Sequence, residues 1–143
     1  MINLKTIDKD NFLKIIALKV RDEQKQFILD NATSLAQAYV QKECVPMAIY
    51  NRDIPIGFLM YCKEEDNQYW IYRFMIDVQH QCRGYGRKAF ELLLDKIKED
   101  STSNTINLNV NKDNEIASFM FEDFGFDYNL VEIGYDKMMV LKY

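Results

Sequence analysis

The stretch Gln79–Phe90, QHQCRGYGRKAF, lies between a strand-like run, Tyr69–Val78 (YWIYRFMIDV), and an apolar-periodic segment, Ala89–Lys98 (AFELLLDKIK). Two glycines and several basic residues fill a junction between a strand and a helix. Gly84 and Gly86, lacking a Cβ, let the backbone take unusual φ values and approach a ligand closely. The first N–H groups of the following helix have no internal partner and point back at the loop, and the helix dipole adds partial positive charge there. Arg83, Arg87 and Lys88 add full charges. Together these features suit a pyrophosphate. The plain alternative is that the two glycines only turn the chain. A third glycine and an early βαβ unit are missing, which argues against a dinucleotide site of the Rossmann type. GxxxxGK followed by Ser or Thr is also missing, which argues against a P-loop.

Working outward, the segment before the loop extends into a strand, Asn67–Val78, rich in aromatic and branched residues. Upstream, VPMAIY and IPIGFLMYC are apolar runs joined by Asn51-Arg52-Asp53, a hairpin signal. A short first strand, INLKTI, leads to a helix expected over Asn11–Lys19. The segment Asp22–Glu43 reads as helix broken near Asp30–Ser34, where Asn31, Thr33 and Ser34 can cap. Downstream, a helix is expected over Arg87–Glu99, with Ala89, Phe90, Leu93, Leu94 and Ile97 on one face. A strand (TINLNV) follows. Next comes a short helix with Asn114 as its cap and Gly125 just past its end, and two closing strands, FDYNLVEI and KMMVLKY. Hairpins mixed with strand–helix–strand units predict an α/β fold with one mixed sheet covered by helices.

Composition bounds the function. The chain has 143 residues, of which 48% are hydrophobic and 28% charged, as expected for one globular domain over residues 1–143. No segment reads as a signal peptide or a membrane span, so a cytoplasmic location is expected. A net charge of -4 argues against general nucleic-acid binding. Cys44, Cys62 and Cys82 are far apart with no CxxC spacing, and His80 is the only histidine, so no metal site and no Ser-His-Asp chemistry are indicated.

Gln81–Gly86, QCRGYG, resembles the Q/R-x-x-G-x-G/A motif of the GCN5-related N-acetyltransferase (GNAT) superfamily, which cradles the pyrophosphate of acetyl-CoA. The segment NEIASFMFEDFGF resembles that superfamily's N-x-x-A-x-x-L/M-Y-x-x-x-G-F motif, with Asn114, Ala117, Met120, Gly125 and Phe126 in place. The element order is also similar. The resemblance implies a single domain with a mixed sheet of about six to seven strands, about four helices and two splayed strands that form the acetyl-CoA cleft. It implies that Phe74, Met75 and Ile76 offer main-chain groups to the pantetheine arm. The main-chain N–H groups of Gln81, Cys82, Arg83, Gly84, Tyr85, Gly86 and Arg87 would hold the pyrophosphate, and the Asn114 side chain would reach the cofactor. The family's tyrosine, the usual general acid, is Phe121 here, which has no proton to donate. Tyr85 or Tyr128 are the tyrosines considered as substitutes. The register position of the usual base falls near Trp70, so no base is assigned.

The resemblance narrows further. Segments 18–40, 46–61 and 69–86 resemble bacterial spermine/spermidine (diamine) N-acetyltransferases. They imply acetyl transfer from acetyl-CoA to a primary amine of a polyamine, by direct attack of the neutral amine on the thioester. Asp22, Glu23, Trp70, Tyr72 and Glu132 are the candidate contacts to a cationic acceptor. Each also has a plain reading, as a solvated helix start or as sheet core. A different amine (protein lysine, peptide or antibiotic) or a CoA-binding module of weak activity remains the alternative. The expected partners are a small amine, no nucleic acid, no membrane and, as a possibility, a second copy of the chain.

Overall fold

The structure, a computed structural model, describes residues 1–143. Its strands are β1 (Ile2–Thr6), β2 (Cys44–Asn51), β3 (Ile54–Lys63), β4 (Tyr69–Ile76), β5 (Thr105–Asn111), β6 (Asp127–Ile133) and β7 (Asp136–Lys142). Its helices are α1 (Phe12–Ile16), α2 (Asn31–Val40), α3 (Tyr85–Lys98) and α4 (Glu115–Asp123). The elements follow the order read from the sequence. The seven strands form one sheet in the order β1-β2-β3-β4-β5-β7-β6. Every neighbouring pair is antiparallel except β4 and β5.

Alternation along the strands divides the core between two faces. On one face α3 and α4 cover Ile49, Leu59, Ile71 and Leu108. Phe90 of α3 is the centre of this layer, with ring centroids of Phe74, Phe121, Phe124 and Phe126 between 5.1 and 5.8 Å away. A fully buried ring such as Phe90 contributes about 1.5–3 kcal/mol, and the half-buried Phe74 and Phe124 less. On the other face α1 and α2 cover a smaller layer of Ala48, Tyr50, Phe58, Met60, Cys62 and Met75. β6 is a sheet edge whose residues are all exposed, and it is interrupted by a bulge where Leu130 has φ +67°. Such a bulge interrupts a pairing surface.

Three boundaries differ from the sequence reading. The first helix stops at Ile16 instead of Lys19, because the backbone of Lys19 is drawn to the end of β4: its N–H donates to Asp77 Oδ1 at 2.9 Å, and its carbonyl accepts from Val78 at 2.7 Å. Residues 22–29 are not helical beyond a 3-10 turn at Asp22–Gln24. There Gln24 Oε1 accepts from the Gln81 side chain at 2.9 Å, a long-range bond that overrides local propensity. α2 starts where the break was expected, but its cap is Asp30, whose carboxylate accepts from Thr33 N at 2.7 Å, and not Asn31, Thr33 or Ser34; the Asn31 side chain instead donates to the Ile15 carbonyl at 2.9 Å. α3 begins at Tyr85, two residues earlier than expected, because Gly84 takes φ +81° and caps it.

Candidate functional site

The sheet opens at one place. β4 and β5 pair only over Tyr69–Ile71 and Ile106–Leu108, after which the strands diverge. Beyond that point β4 still pairs with β3, and β5 still pairs with β7, so the gap lies between their facing edges. Phe74, Met75 and Ile76 stand on one side of it and Val110 and Asn111 on the other. The gap widens into a cleft of about 860 Å³ that passes from the α3–α4 face to the α1–α2 face.

At the α3 end, none of the backbone N–H groups from Gln81 to Arg87 donates to a protein acceptor. Cys82 and Gly84 both have left-handed φ, +63° and +81°, so alternate residues turn their N–H groups into one concave surface. A left-handed cysteine is uncommon and was not foreseen from sequence, where only glycine signals that conformation. A Cβ at Gly84 would meet nothing within 4 Å, so the space beside the loop is open. The side chains of the loop do structural work instead. Gln81 Nε2 donates to the Ile76 carbonyl at 2.8 Å as well as to Gln24. Arg21 Nη2 lies 3.2 Å from Cys82 Sγ, and Arg87 pairs with Asp123 at 2.8 Å. Tyr85 turns into the larger core, with its hydroxyl accepting from Asn51, and Arg83 is exposed outside the cleft lining. Asn114 lines the cleft while its Oδ1 caps α4 through Ala117 N at 3.3 Å. A concave anion site at a helix start, continuous with a slot bordered by unpaired strand edges, fits a long ligand with a pyrophosphate and an amide-bearing arm, which is the shape and chemistry of acetyl-CoA.

At the α2 end the lining is made of side chains. Trp70 and Tyr72 stand in the lining, half-buried, as does Arg73. Arg73 is tied to α2 by bonds to Ser34 Oγ (3.1 Å) and Gln37 Oε1 (2.8 Å), and to the Tyr72 carbonyl (2.8 Å). Burial pulls its guanidinium pKa down. Glu64 and Asp136 are the carboxylates of the lining. Asp22, Glu23 and Glu132 are not brought there. Asp22 and Glu23 are exposed on the 3-10 turn, with Asp22 paired to Lys25 at 2.8 Å, while Glu132 is bonded to Lys112 and Tyr128 outside the cleft. Glu64, Arg73 and Asp136 were missed by the sequence reading. A signal for Arg73 existed, as a charge inside an otherwise apolar strand.

Phe121 lines the cleft where the two ends meet and is 8% exposed, its ring packed on Phe90 and Phe126 at 5.2 and 6.1 Å. It belongs to both the core and the cleft wall. Neither Tyr85 nor Tyr128 lines the cleft. Tyr72 is the tyrosine that does, and its proton is donated to Glu64 at 2.7 Å.

Comparison with known proteins agrees with this geometry. The pattern of the Acetyltransferase (GNAT) family matches residues 9–126. A spermine/spermidine N(1)-acetyltransferase of Bacillus subtilis (strain 168) is 31% identical over 150 residues, spanning 97% of both chains. Among solved structures, the spermidine N-acetyltransferase of Vibrio cholerae in complex with CoA and spermine superposes with a TM-score of 0.78 at 16% identity, over 99% of this chain and 95% of that one. The PaiA N-acetyltransferase of Thermoplasma acidophilum in complex with coenzyme A gives 0.76 at 15% identity, over 100% and 99%. At these identities the structural likenesses establish the fold. The family match and the near-full-length relative carry the rest: the chain belongs to the GNAT family and is an acetyl-CoA-dependent N-acetyltransferase.

Proposed function

We propose that the acceptor is a small polycationic amine of the spermidine or spermine class, acetylated on a primary amino group. The observation that carries this reading is the 31% identity, sustained over 97% of both chains, to the Bacillus subtilis spermine/spermidine enzyme. The cleft lining supports it: the Glu64 carboxylate is bonded to Tyr72, Trp70 lines the same cleft, and a second carboxylate, Asp136, lines it beside Asn111. Carboxylates pair with ammonium groups, and aromatic faces attract them.

In this reading the N–H groups of Gln81–Arg87 hold the pyrophosphate, Phe74–Ile76 bond the amides of the pantetheine arm with their free backbone edge, and Asn114 closes the α4 side. Acetyl-CoA, when bound, supplies an activated thioester carbonyl and a thiolate leaving group. The chain's task at the α2 end is to bind and orient an amine. An alkyl ammonium with a pKa near 10.4 is neutral in about one molecule in a thousand at pH 7, a cost of roughly 4–5 kcal/mol that a desolvating wall offsets in part. Trp70 and Phe74 supply such a wall. Phe121 stands at the position of the proton donor and offers none, so the thiolate leaves unassisted by this side chain. Thiols have a reference pKa near 8.5, which makes that departure slow but feasible.

A second reading, a lysine side chain, a peptide or an antibiotic as acceptor, is favoured by the cations Arg21 and Arg73 in the same lining, which disfavour a polycation. A cytoplasmic setting and a homodimer, with no nucleic-acid or membrane partner, belong to the proposal; no helix is long and apolar enough to cross a membrane. The deciding experiment measures release of free CoA with a panel of amines. Spermidine and spermine are expected to turn over with the highest kcat/KM. A lysine peptide or an aminoglycoside that surpasses them overturns the reading. Light scattering of the purified protein measures the oligomeric state.

A further inference from the structure

β4 does not alternate regularly. Ile71 pairs with Tyr61, and Arg73 pairs with Met60, the next residue along β3, so Tyr72 is an extra residue, a bulge. The consequence for side-chain direction is direct. Ile71 packs in the larger core under α3, and Met75 packs in the smaller one under α1 and α2. Four residues apart on a regular strand, they would share a face. The extra residue changes the phase, so that Tyr72 and Arg73, neighbours in sequence, both turn to the α2 side, where Tyr72 packs on the smaller core and Arg73 bonds α2. Bulges next to active sites re-aim side chains in this way.

The re-aimed Tyr72 meets Glu64, the residue just past the end of β3, and its hydroxyl donates to Glu64 Oε1 at 2.7 Å. Glu64 is half-buried and lines the cleft, and no Lys or Arg nitrogen lies within 4.0 Å of it. Other acids of the chain are placed differently. Asp100 pairs with Lys63, Asp123 with Arg87 and Glu132 with Lys112. The cation nearest in sequence, Lys63, is occupied by Asp100, and Arg73 is occupied by α2. One carboxylate oxygen of Glu64 is therefore fixed by a phenol, and the other has no protein partner, in a cleft that Trp70 also lines. A partly dehydrated carboxylate of this kind is stabilised by a cation from outside the chain.

We propose that Glu64, held by Tyr72 in the cleft that Trp70 also lines, is the anchor for a second ammonium group of the acceptor. The enzyme then selects amines that carry a positive charge at a distance from the amino group being acetylated. The inference rests on the amine-acetylating reading above and adds the device that separates diamines and polyamines from simple monoamines. Glu64 acts in binding. No proton or acyl group passes through it, and Tyr72 is a positioning residue.

The test uses the full chain and the probes spermidine and n-butylamine. In Glu64→Gln the carboxylate becomes a neutral amide of the same shape. The ratio of kcat/KM for spermidine to that for n-butylamine is expected to fall about tenfold or more, mostly through the KM for spermidine, because an ionic contact remote from the reacting atoms is uniform binding. The rise of that KM with salt, expected for the wild type, flattens in the variant. Tyr72→Phe, which keeps the ring and loses the hydroxyl, has a smaller effect of about threefold. Retention of the acetyl-CoA-induced rise in Tm shows that each variant is folded. Calorimetric titration of spermidine into CoA-loaded protein separates this inference from the reading beneath it. If the wild type binds spermidine and Glu64→Gln binds it equally well, the anchor is wrong while the polyamine reading stands. If the wild type acetylates other amines but not spermidine, yet binds it in a Glu64-dependent way, the reading fails and the anchor stands. If the wild type does not bind spermidine, both fall.

Discussion

At the α3 end of the cleft, every proposed ligand contact on the loop comes from one continuous run, Gln81–Arg87, and comes from the main chain. At the α2 end, Gln37 comes from α2, Glu64 from just past the end of β3, and Tyr72 and Arg73 from β4, and each contributes a side chain. The first end is specified by two left-handed residues and a helix start. It leaves the side chain of Arg83 exposed outside the cleft lining, and it turns Tyr85 back into the core. The second end is specified by register: one extra residue in β4 decides which of its side chains turn to the α2 side. A ligand shared by a family can be held by backbone, whereas the ligand that distinguishes its members is met by side chains that strand phase can move.

The largest effect should come from breaking the backbone end. Gly84→Val places a β-branched residue at φ +81°, at a cost of roughly 1–2 kcal/mol, while its Cβ meets no protein atom within 4 Å. The fold should survive, and the added side chain occupies the space left for the pyrophosphate. Acetyl-CoA affinity is expected to fall more than about a hundredfold, so that a ligand-induced rise in Tm clear in the wild type disappears. Calorimetry and thermal melts with acetyl-CoA measure this. Unchanged affinity in a folded variant would remove the loop from the site and dissolve the contrast between the two ends.

The three cysteines mark the same contrast. Cys82 is exposed on the loop, whereas Cys44 and Cys62 face each other across β2 and β3 beneath the α2 layer. Burial, then the neighbouring thiol, pushes Cys44 up to about 11, and burial raises Cys62. At pH 8 a thiol of pKa about 11 is thiolate in about one molecule in a thousand, and the thiolate is the reactive form. Maleimide should label Cys82 alone, at least about a hundredfold faster than the other two. Acetyl-CoA should slow the labelling and spermidine should not. Protection by spermidine instead would mean that the acceptor reaches the loop.

This difference also explains what could be read from the sequence. Gly84, Gly86, the basic flanks and Asn114 are local signals, and the helix starts they imply were found within two residues. The seven strands and four helices were likewise legible, because period and turn chemistry are local. The α2 end was read poorly. Asp22, Glu23 and Glu132 were chosen as acidic residues near the right elements, but the 3-10 turn and the edge strand hold them outside the cleft. Glu64 and Asp136 required the register of β3, β4 and β7, and the bulge at Tyr72 changes that register invisibly, since every residue from Tyr69 to Ile76 except Arg73 is apolar or aromatic. The helix expected over 22–29 failed for the same reason: Gln24 answers to Gln81, 57 residues away.

A smaller effect should follow from loosening the register end. Arg73→Met removes three bonds to Ser34, Gln37 and the Tyr72 carbonyl while keeping the length of the side chain. Hydrogen bonds from charged groups contribute about 1.5–3 kcal/mol each, offset here by relief of burying the guanidinium, so a net loss of about 2 kcal/mol is expected. The KM for the amine should rise about tenfold as α2 and the bulge shift, with the KM for acetyl-CoA little changed. Denaturant unfolding and steady-state kinetics check the two numbers. An equal rise in both KM values would show that the ends are mechanically one site.

The smallest effect lies where the ends meet, at Phe121. Adding a hydroxyl by Phe121→Tyr tests whether this ring faces the leaving group or only the core. If its para position opens to the cleft, the new hydroxyl is hydrated and stability changes by less than about 0.5 kcal/mol. If it points among Phe90 and Phe126, an unsatisfied hydroxyl is buried and costs about 1–3 kcal/mol. A general acid in full register contributes about 10²–10⁴-fold, but a donor installed in a wall shaped for Phe will not be aligned to that standard, so a gain in kcat of about threefold is expected. The gain should hold below pH 9 and vanish as the phenol ionises near 10, because only the protonated form can donate. Tyr128→Phe, outside the cleft, should leave kcat where it is. Tm and kcat read together decide the matter: a Tm within about 2 °C of wild type with raised kcat places residue 121 beside the sulfur. A lowered Tm with flat kcat, in conditions where the chemical step limits the rate, makes Phe121 a core residue of the α3 layer, and the proton for the departing thiolate then comes from solvent through the open α2 end.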